Sequence, residues 1–163
     1  MSMSAMAIAF TSCSDSSGPT PGSFRAQVSG AHTADLSGVA LAETAFGEDP
    51  EHSYTIRMHA ESGDTVRTVA FRCRGEAAPA AGTYELTLSG EGCYARYNRV
   101  LVDEGGSAVV LEQADATIGQ LTVETSTGDQ LPGTFSFSGP LVEGADEIGT
   151  VQVNGHFSAR RLD

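Results

Sequence analysis

The chain has no tryptophan and no lysine, so its nine basic residues are all arginines, and they stand against 21 acidic residues. The resulting net charge of −12 argues against binding to nucleic acid, because affinity for phosphate depends on clustered Lys and Arg. Long apolar runs are also missing. The run from Ala5 to Phe10 has six residues, far fewer than the roughly 20 that a membrane-spanning helix needs. We therefore expect neither a nucleic-acid-binding protein nor a transmembrane anchor in this run.

Cysteine is scarce, and the first of the three cysteines has a distinctive setting. Cys13 follows the short apolar run and precedes a segment rich in Ser, Gly and Pro. The residues FTSC, 10 to 13, resemble the lipobox of bacterial lipoproteins, in which a Cys after a small residue is lipidated and becomes the mature N-terminus. The resemblance implies that Cys13 carries the lipid. It also implies that the protein is lipid-anchored in the bacterial cell envelope, on the periplasmic or outer-surface face, or is secreted.

Basic residues, which normally begin a signal peptide, are absent before Cys13. We therefore expect that the start codon lies upstream or that the leader is shortened. The segment SDSSGPTPGS that follows Cys13 has the composition of a flexible tether. Residues 1–23 are accordingly predicted to be a truncated signal peptide with its lipobox and tether, and residues 24–163 a single β-domain. The membrane is expected to be a partner through the lipid anchor only.

Cys73 and Cys93 remain, and two thiols in an oxidising compartment usually form a disulfide. A geometric objection stands against this pairing. If residues 65–73, 82–89 and 93–99 formed a simple three-stranded meander, the two cysteines would lie at opposite ends of it, too far apart to bond. The disulfide requires that the linker runs back along the sheet or that the middle strand is short. Two separate thiols are the alternative.

From Phe24 onward, apolar and polar residues alternate in short runs divided by turn residues, a pattern typical of β-strands. Because successive side chains of a strand point to opposite faces, each alternating set marks one buried face. The pattern predicts an all-β fold, a single antiparallel β-sandwich or barrel of about eight to ten strands. The sets are Phe24, Ala26, Val28, Gly30; Tyr54, Ile56, Met58, Ala60; Val69, Phe71, Cys73; Tyr84, Leu86, Leu88; Leu121, Val123, Thr125; Phe135, Phe137; and Val151, Val153, Gly155, Phe157, Ala159.

Two runs lack this alternation. Apolar residues occur at both odd and even positions of RVLVD, 99–103, and of AVVLEQA, 108–114. Such runs fit either central strands or one short helix. Both alternatives stay open from the sequence.

The stretch IGQLTVETSTGDQLPGTFSFSG, followed by VQVNGHFSAR, has the order G-x-L-T-V, polar turn, G-T-F-S-F, then V-x-V-x-x-G-x-F. It resembles a group of uncharacterised bacterial lipoproteins and secreted proteins, most strongly from Ile118 to Arg160. The resemblance implies an all-β fold, and it assigns no activity and no functional residue. The same residues have a physical interpretation: Gly133 permits close backbone approach or a bulge, while Phe135 and Phe137 fill the core.

Motifs of known chemistry are missing from the sequence. There is no G-x-S-x-G elbow for a nucleophilic serine, and the four histidines have no metal-binding spacing. His59 and His156 are predicted on outward faces, and His32 and His52 in loops. The acidic segments 47–51 and 143–147 lack the ligand spacing of a calcium loop. We predict no catalytic residue, no metal site and no cofactor.

Three functions remain. The first is a non-catalytic binding or structural β-domain of a cell-envelope lipoprotein, with an unknown protein or small-molecule partner. The second is a binder of a small apolar ligand in a barrel cavity lined by Phe and Tyr. The third, a hydrolase of envelope polymers, needs two carboxylates across a cleft at roughly 5 to 10 Å.

Overall fold

The computed structural model describes residues 19–44, 54–75, 77–88 and 92–162. Cys13 and the acidic segment 47–51 lie outside these ranges. The described residues form ten β-strands and no helix, which confirms the predicted all-β class. Within those ranges, no helix has the length and apolar character that crossing a bilayer requires. The strands are β1 (Ser23–Gly30), β2 (Ala34–Thr44), β3 (Tyr54–Ser62), β4 (Thr65–Cys73), β5 (Gly82–Glu85), β6 (Cys93–Val102), β7 (Ala108–Asp115), β8 (Ile118–Val123), β9 (Gln130–Glu143) and β10 (Asp146–Arg161).

Eight strands close into an antiparallel barrel, so the barrel is the correct one of the two predicted architectures. Around the ring the neighbours are β1, β2, β3, β4, β6, β7, β9 and β10, and β10 pairs again with β1. The ladder between β7 and β9 is short, and joins Glu112–Ala114 to Leu141–Glu143. β8 and β5 lie outside the ring, since β8 pairs with β9 and β5 pairs with β8.

Glycines face phenylalanines in the long ladder between β9 and β10. Gly133 lies opposite Phe157, and Gly155 lies opposite Phe135. A Cβ atom on Gly133 would lie 2.6 Å from Cζ of Phe157, and one on Gly155 would lie 2.6 Å from Cζ of Phe135. Each glycine therefore leaves room for the ring on the opposite strand. This confirms the close approach predicted at Gly133.

Aromatic rings fill the middle of the barrel. The ring centroids of Phe71 and Phe135 are 5.1 Å apart, and those of Phe71 and Phe137 are 6.1 Å apart. Phe157 joins the cluster through Phe135, at 6.3 Å. These separations fall in the range where aromatic pairs add about 0.5 to 1.5 kcal/mol beyond the burial of their area. At this level the interior is occupied by protein side chains.

Cys73 and Cys93 form the disulfide, with Cα atoms 4.1 Å apart. They are direct partners in the ladder between β4 and β6, and both are buried. The simple meander on which the objection rested does not form: β5 covers only Gly82–Glu85 and pairs with β8 rather than with β4. Because β4 and β6 are neighbours, the geometric objection to the disulfide does not apply.

Other strand predictions also need correction. β2 was not predicted, because the buried side chains along it are mostly small and give little apolar contrast: Leu36, Ala40 and Ala42. Leu88 was predicted inward with Leu86; Leu86 is fully buried, but Leu88 lies past the end of β5 and is exposed.

Two further outcomes concern strand ends and the unpatterned runs. Thr125 was grouped with Leu121 and Val123, yet it lies beyond the end of β8 and is exposed. The runs 99–103 and 108–114 belong to β6 and β7, which pair as a hairpin. The strand alternative was therefore right for both runs, and the helix was wrong.

Candidate functional site

The two ends of the barrel differ in chemistry. We call one end the mouth; it carries the connections between β1 and β2, β3 and β4, β6 and β7, and β9 and β10, residues 31–33, 63–64, 103–107 and 144–145. The opposite end, where Tyr54 lies beside the Cys73–Cys93 disulfide, is the closed end. Tyr54 and both cysteines are buried there.

A row of four charged residues crosses four neighbouring strands at the mouth. Arg67 on β4 pairs with Arg99 on β6, Arg99 pairs with Glu112 on β7, and Glu112 pairs with Glu143 on β9. Two positive charges are thus neighbours, and two negative charges are neighbours. Like charges directly opposite each other in a sheet are destabilising. The row is therefore not explained by the stability of the sheet alone.

Strand periodicity turns three of these side chains inward, while the fourth, Glu143, is exposed. Arg67 has the same parity as Val69, which is buried, and Arg99 follows the buried Tyr97 by two residues. Glu112 likewise precedes the buried Ala114 by two residues. The charged row thus lies close to the mouth, two residues from the start of β4 at Thr65.

Two polar contacts hold the cluster together. Arg99 Nη1 donates to Glu112 Oε1 at 2.8 Å, and the Glu112 side chain is only 8% exposed. Arg67 Nη2 lies 3.3 Å from Nε2 of His32, a residue of the connection between β1 and β2. Because the arginine only donates, this contact makes Nε2 of His32 the acceptor and places its ring proton on Nδ1. His32 thus covers Arg67 from across the mouth.

Several buried polar atoms of the cluster have no hydrogen-bond partner among the described residues. They are Nε of Arg67, Nε of Arg99, Oη of Tyr97 and Oε2 of Glu112. A buried polar group without a partner costs about 1 to 3 kcal/mol, and four such atoms lie in this one layer. Unpartnered groups gathered in this way are typical of a site that binds something.

The hydroxyl of Tyr97 stays protonated at neutral pH. Burial raises its pKa above the usual value, and the Glu112 carboxylate acts in the same direction. The positive charges of Arg67 and Arg99, and the close approach of the Arg67 side chain to the Tyr97 hydroxyl, oppose the shift without reversing it. That approach lacks the geometry of a full hydrogen bond, since neither the hydroxyl nor Nε of Arg67 has such a partner among the described residues. Tyr97 therefore offers an O–H donor to the cluster.

The residues singled out in the sequence lie elsewhere, with two exceptions: His32, and Glu143 of the acidic segment 143–147, which is in the charged row. Cys13 and His52 fall outside the described residues, and Cys73 and Cys93 lie at the closed end. His59 and His156 lie on the outer face, as predicted, and each is partly buried. His32 lies in the connection predicted for it, but it contacts Arg67.

Sequence reasoning missed Arg67, Arg99, Tyr97 and Glu112. A signal for the first was present, because Arg67 has the parity of the inward set Val69, Phe71 and Cys73. The other three lie in or beside the runs that lack alternation, where parity cannot be read. Their convergence depends on strand pairing, which the sequence does not show.

A concavity lies on the outer face of β2, β1 and β10. It is a groove of about 570 Å³, open to solvent, with Arg25, Asp35 and His156 among its lining residues. A smaller hollow of about 280 Å³ continues it toward Pro19. The groove has no buried unpartnered side-chain atom among its lining residues, and in this it differs from the mouth.

Neither the search for metal-binding groups nor the comparison with known proteins assigns a function to this chain. Within the described ranges, no three His, Cys, Asp or Glu side chains are grouped so that they could hold a metal ion. No protein-family model, no curated protein and no solved structure matches this chain. The resemblance to bacterial lipoproteins therefore stays a prediction, and the function has to be argued from the site.

Proposed function

We propose that this chain is a lipid-anchored protein of the bacterial cell envelope, and that its barrel is a non-catalytic domain that binds a ligand at the mouth. The observation that carries the binding role is the layer of unpartnered polar atoms around Tyr97 and Arg67. A purely structural plug would be expected to pair its buried polar groups within the protein. A binding site leaves them for the ligand.

The direction of the chain is compatible with a lipid anchor. β1 begins at Ser23, and hydrogen bonds to the barrel begin one residue earlier, where Gly22 N donates to Ser158 O at 2.7 Å. From there β1 runs toward the mouth and ends at Gly30. The proposed tether therefore joins the barrel on the side away from the mouth, so a bilayer at Cys13 leaves the mouth accessible.

The other two functions receive less support. An apolar ligand in the barrel would need the space that the rings of Phe71, Phe135, Phe137 and Phe157 occupy. For hydrolysis, Glu112 and Glu143 are adjacent ladder partners, and such partners have Cα atoms only about 4.5 to 5.5 Å apart. Side by side on one sheet, they do not flank a cleft that could hold a polymer.

The anchor is tested by labelling with a palmitate analogue in the natural host, with the protein expressed from its own gene. We expect the wild-type protein to take up the label and the Cys13→Ala variant to lose it. Equal labelling of the two proteins, or none in either, would contradict the anchor.

The binding role is tested by NMR on the full chain carrying Cys13→Ala, so that no lipid is attached. A fragment set with neutral polar, anionic, cationic and apolar members is added, and the amide shifts are mapped. We expect the responding amides to lie around the mouth, at His32, Arg67 and Tyr97. Responses confined to the outer groove at Arg25 and His156 would instead reject the mouth as the binding site.

A further inference from the structure

The unpartnered atoms at the mouth are unequal in kind. Nε of Arg67 and Nε of Arg99 can only donate, the hydroxyl of Tyr97 can donate or accept, and Oε2 of Glu112 can only accept. A ligand that completes the Arg67 side of this set must accept hydrogen bonds. A cation on that side would meet two guanidinium groups.

We infer that the mouth binds a small oxyanion, a carboxylate or phosphate group, held by the Arg67 guanidinium and the Tyr97 hydroxyl; this inference rests on the proposed binding role of the mouth. The group is either a free small anion or the anionic head of a larger molecule. Two further observations support this class of ligand.

The first observation is charge. Arg99 has a carboxylate partner in Glu112, whereas Arg67 has none among the described residues. Arg67 also lies directly opposite Arg99 in the ladder. An anion beside Arg67 would offset the repulsion between the two guanidinium groups.

The second observation concerns one edge of the Arg67 guanidinium group, where only one of two nitrogens has a hydrogen-bond partner among the described residues. Nε and Nη2 form the edge of a guanidinium group that binds an oxyanion through two parallel hydrogen bonds. In this structure Nη2 is held by a single nitrogen of His32 at 3.3 Å, and Nε has no partner among the described residues. His32 therefore occupies half of a bidentate site. A bound oxyanion takes both positions, and the connection carrying His32 moves aside.

The experiment uses the full chain carrying Cys13→Ala, titrated with sodium acetate, sodium phosphate and acetamide at fixed ionic strength, and followed by NMR. Acetamide is the matched neutral probe for acetate. We expect acetate or phosphate to shift the mouth amides in a saturable manner and acetamide to have little effect. Whichever anion binds more tightly identifies the head group as carboxylate or phosphoryl.

Substitutions assign the binding to Arg67. We expect Arg67→Leu to weaken anion binding at least tenfold, because it removes the charge and both donors. Arg25→Leu is the matched control, since Arg25 is an exposed arginine on the outer face of β1, and it should leave the affinity unchanged. Tyr97→Phe keeps the ring in the core and removes only the hydroxyl, so it serves if Arg67→Leu fails to fold. It should weaken binding several-fold.

The remaining outcomes reject either the oxyanion inference alone or the binding role of the mouth as well. Saturable binding that survives both Arg67→Leu and Tyr97→Phe overturns the oxyanion site. So do anion-induced shifts located at Arg25 rather than at the mouth. If acetamide binds the mouth as tightly as acetate, the oxyanion inference fails while the proposed binding role stands. If neither the anions nor the wider fragment set perturbs the mouth, both fail, and the charged layer is a structural plug.

Discussion

The closed end and the mouth of the barrel are lined by side chains of different chemistry. A barrel has no sheet edges, but its two open ends must be filled or left accessible. At the closed end the filling is apolar, and the Cys73–Cys93 disulfide joins β4 to β6. At the mouth, the same two strands present Arg67 and Arg99.

The difference lies along one pair of strands. Over the nine residues of β4, from Cys73 to Thr65, the inward side chains change from a disulfide through Phe71 and Val69 to Arg67. The ladder between β4 and β6 is continuous from one end to the other, so along these two strands side-chain chemistry distinguishes the closure from the candidate site. Stability should therefore be concentrated at the closed end and binding at the mouth.

The largest expected effect comes from removing the disulfide with Cys73→Ala and Cys93→Ala together. The closed loop has a sequence separation of 20 residues, for which the chain-entropy model gives about 3 kcal/mol. We expect the free energy of unfolding in urea to fall by about this amount, while the mouth amides in the NMR spectrum stay unchanged. Wild-type protein treated with reductant is the control and should match the variant. Altered mouth amides would show that the two ends are coupled.

A smaller effect is expected from Glu112→Gln at the mouth. The variant leaves Arg99 without its carboxylate, in a pair whose side chains are 8% and 28% exposed. Losing one partner of a mostly buried pair should cost about 2 kcal/mol of unfolding free energy. Asp129→Asn is the matched control, since Asp129 and Arg160 are both 64% exposed and 3.8 Å apart; it should cost less than about 0.5 kcal/mol. Equal costs for the two variants would mean that the mouth pair is no more buried in solution than the surface pair.

The smallest effect concerns His59, on the outer wall of β3 rather than at either end. Burial lowers its pKa below the usual value of 6.5, the positive charge of Arg57 lowers it further, and the negative charge of Glu61 opposes them. The unfolded chain therefore binds a proton at a higher pH than the folded chain does. It follows that stability falls as the pH drops through 6.5 toward the lowered pKa.

His59→Gln should remove this part of the pH dependence. The measurement is the urea midpoint of the wild type and the variant at about pH 7.5 and about pH 5. We expect the two proteins to differ more at the lower pH, with the variant losing less stability. An identical loss in both proteins would show that His59 has the same pKa folded and unfolded.

How far the sequence predicts this fold depends on whether the signal is local. Alternation correctly located β1, β3, β4, β9 and β10, since it is a property of a few consecutive residues. The order of strands around the ring is not local. The segment containing β5 reads like the middle strand of a meander, yet its ladder partner is β8. For this reason the argument against the disulfide failed, although the chemical argument for it was sound.

The candidate site shows the same limit more sharply. Arg67 was visible as an arginine on an apolar face, but Arg99 and Glu112 sit beside a shift in register between Arg99 and Val100. Residues flanking such an irregularity do not keep a readable parity. His32 was assigned to a loop, and nothing in its neighbours indicates that the loop reaches Arg67, 35 positions away.

The Cys73–Cys93 bond also bears on how this protein can change over evolution or by design. The chain leaves the barrel after Cys73 and returns at Cys93, and the two Cα atoms are 4.1 Å apart. The excursion between them therefore begins and ends at one point, and no barrel strand depends on its length. Three contacts fix it: the ladder between β5 and β8, the side chain of Tyr84 against the core, and Leu86, which is fully buried and bridges to Cys93. Outside β5 and Leu86, insertions, deletions or grafted sequences would leave the ring of eight strands in register.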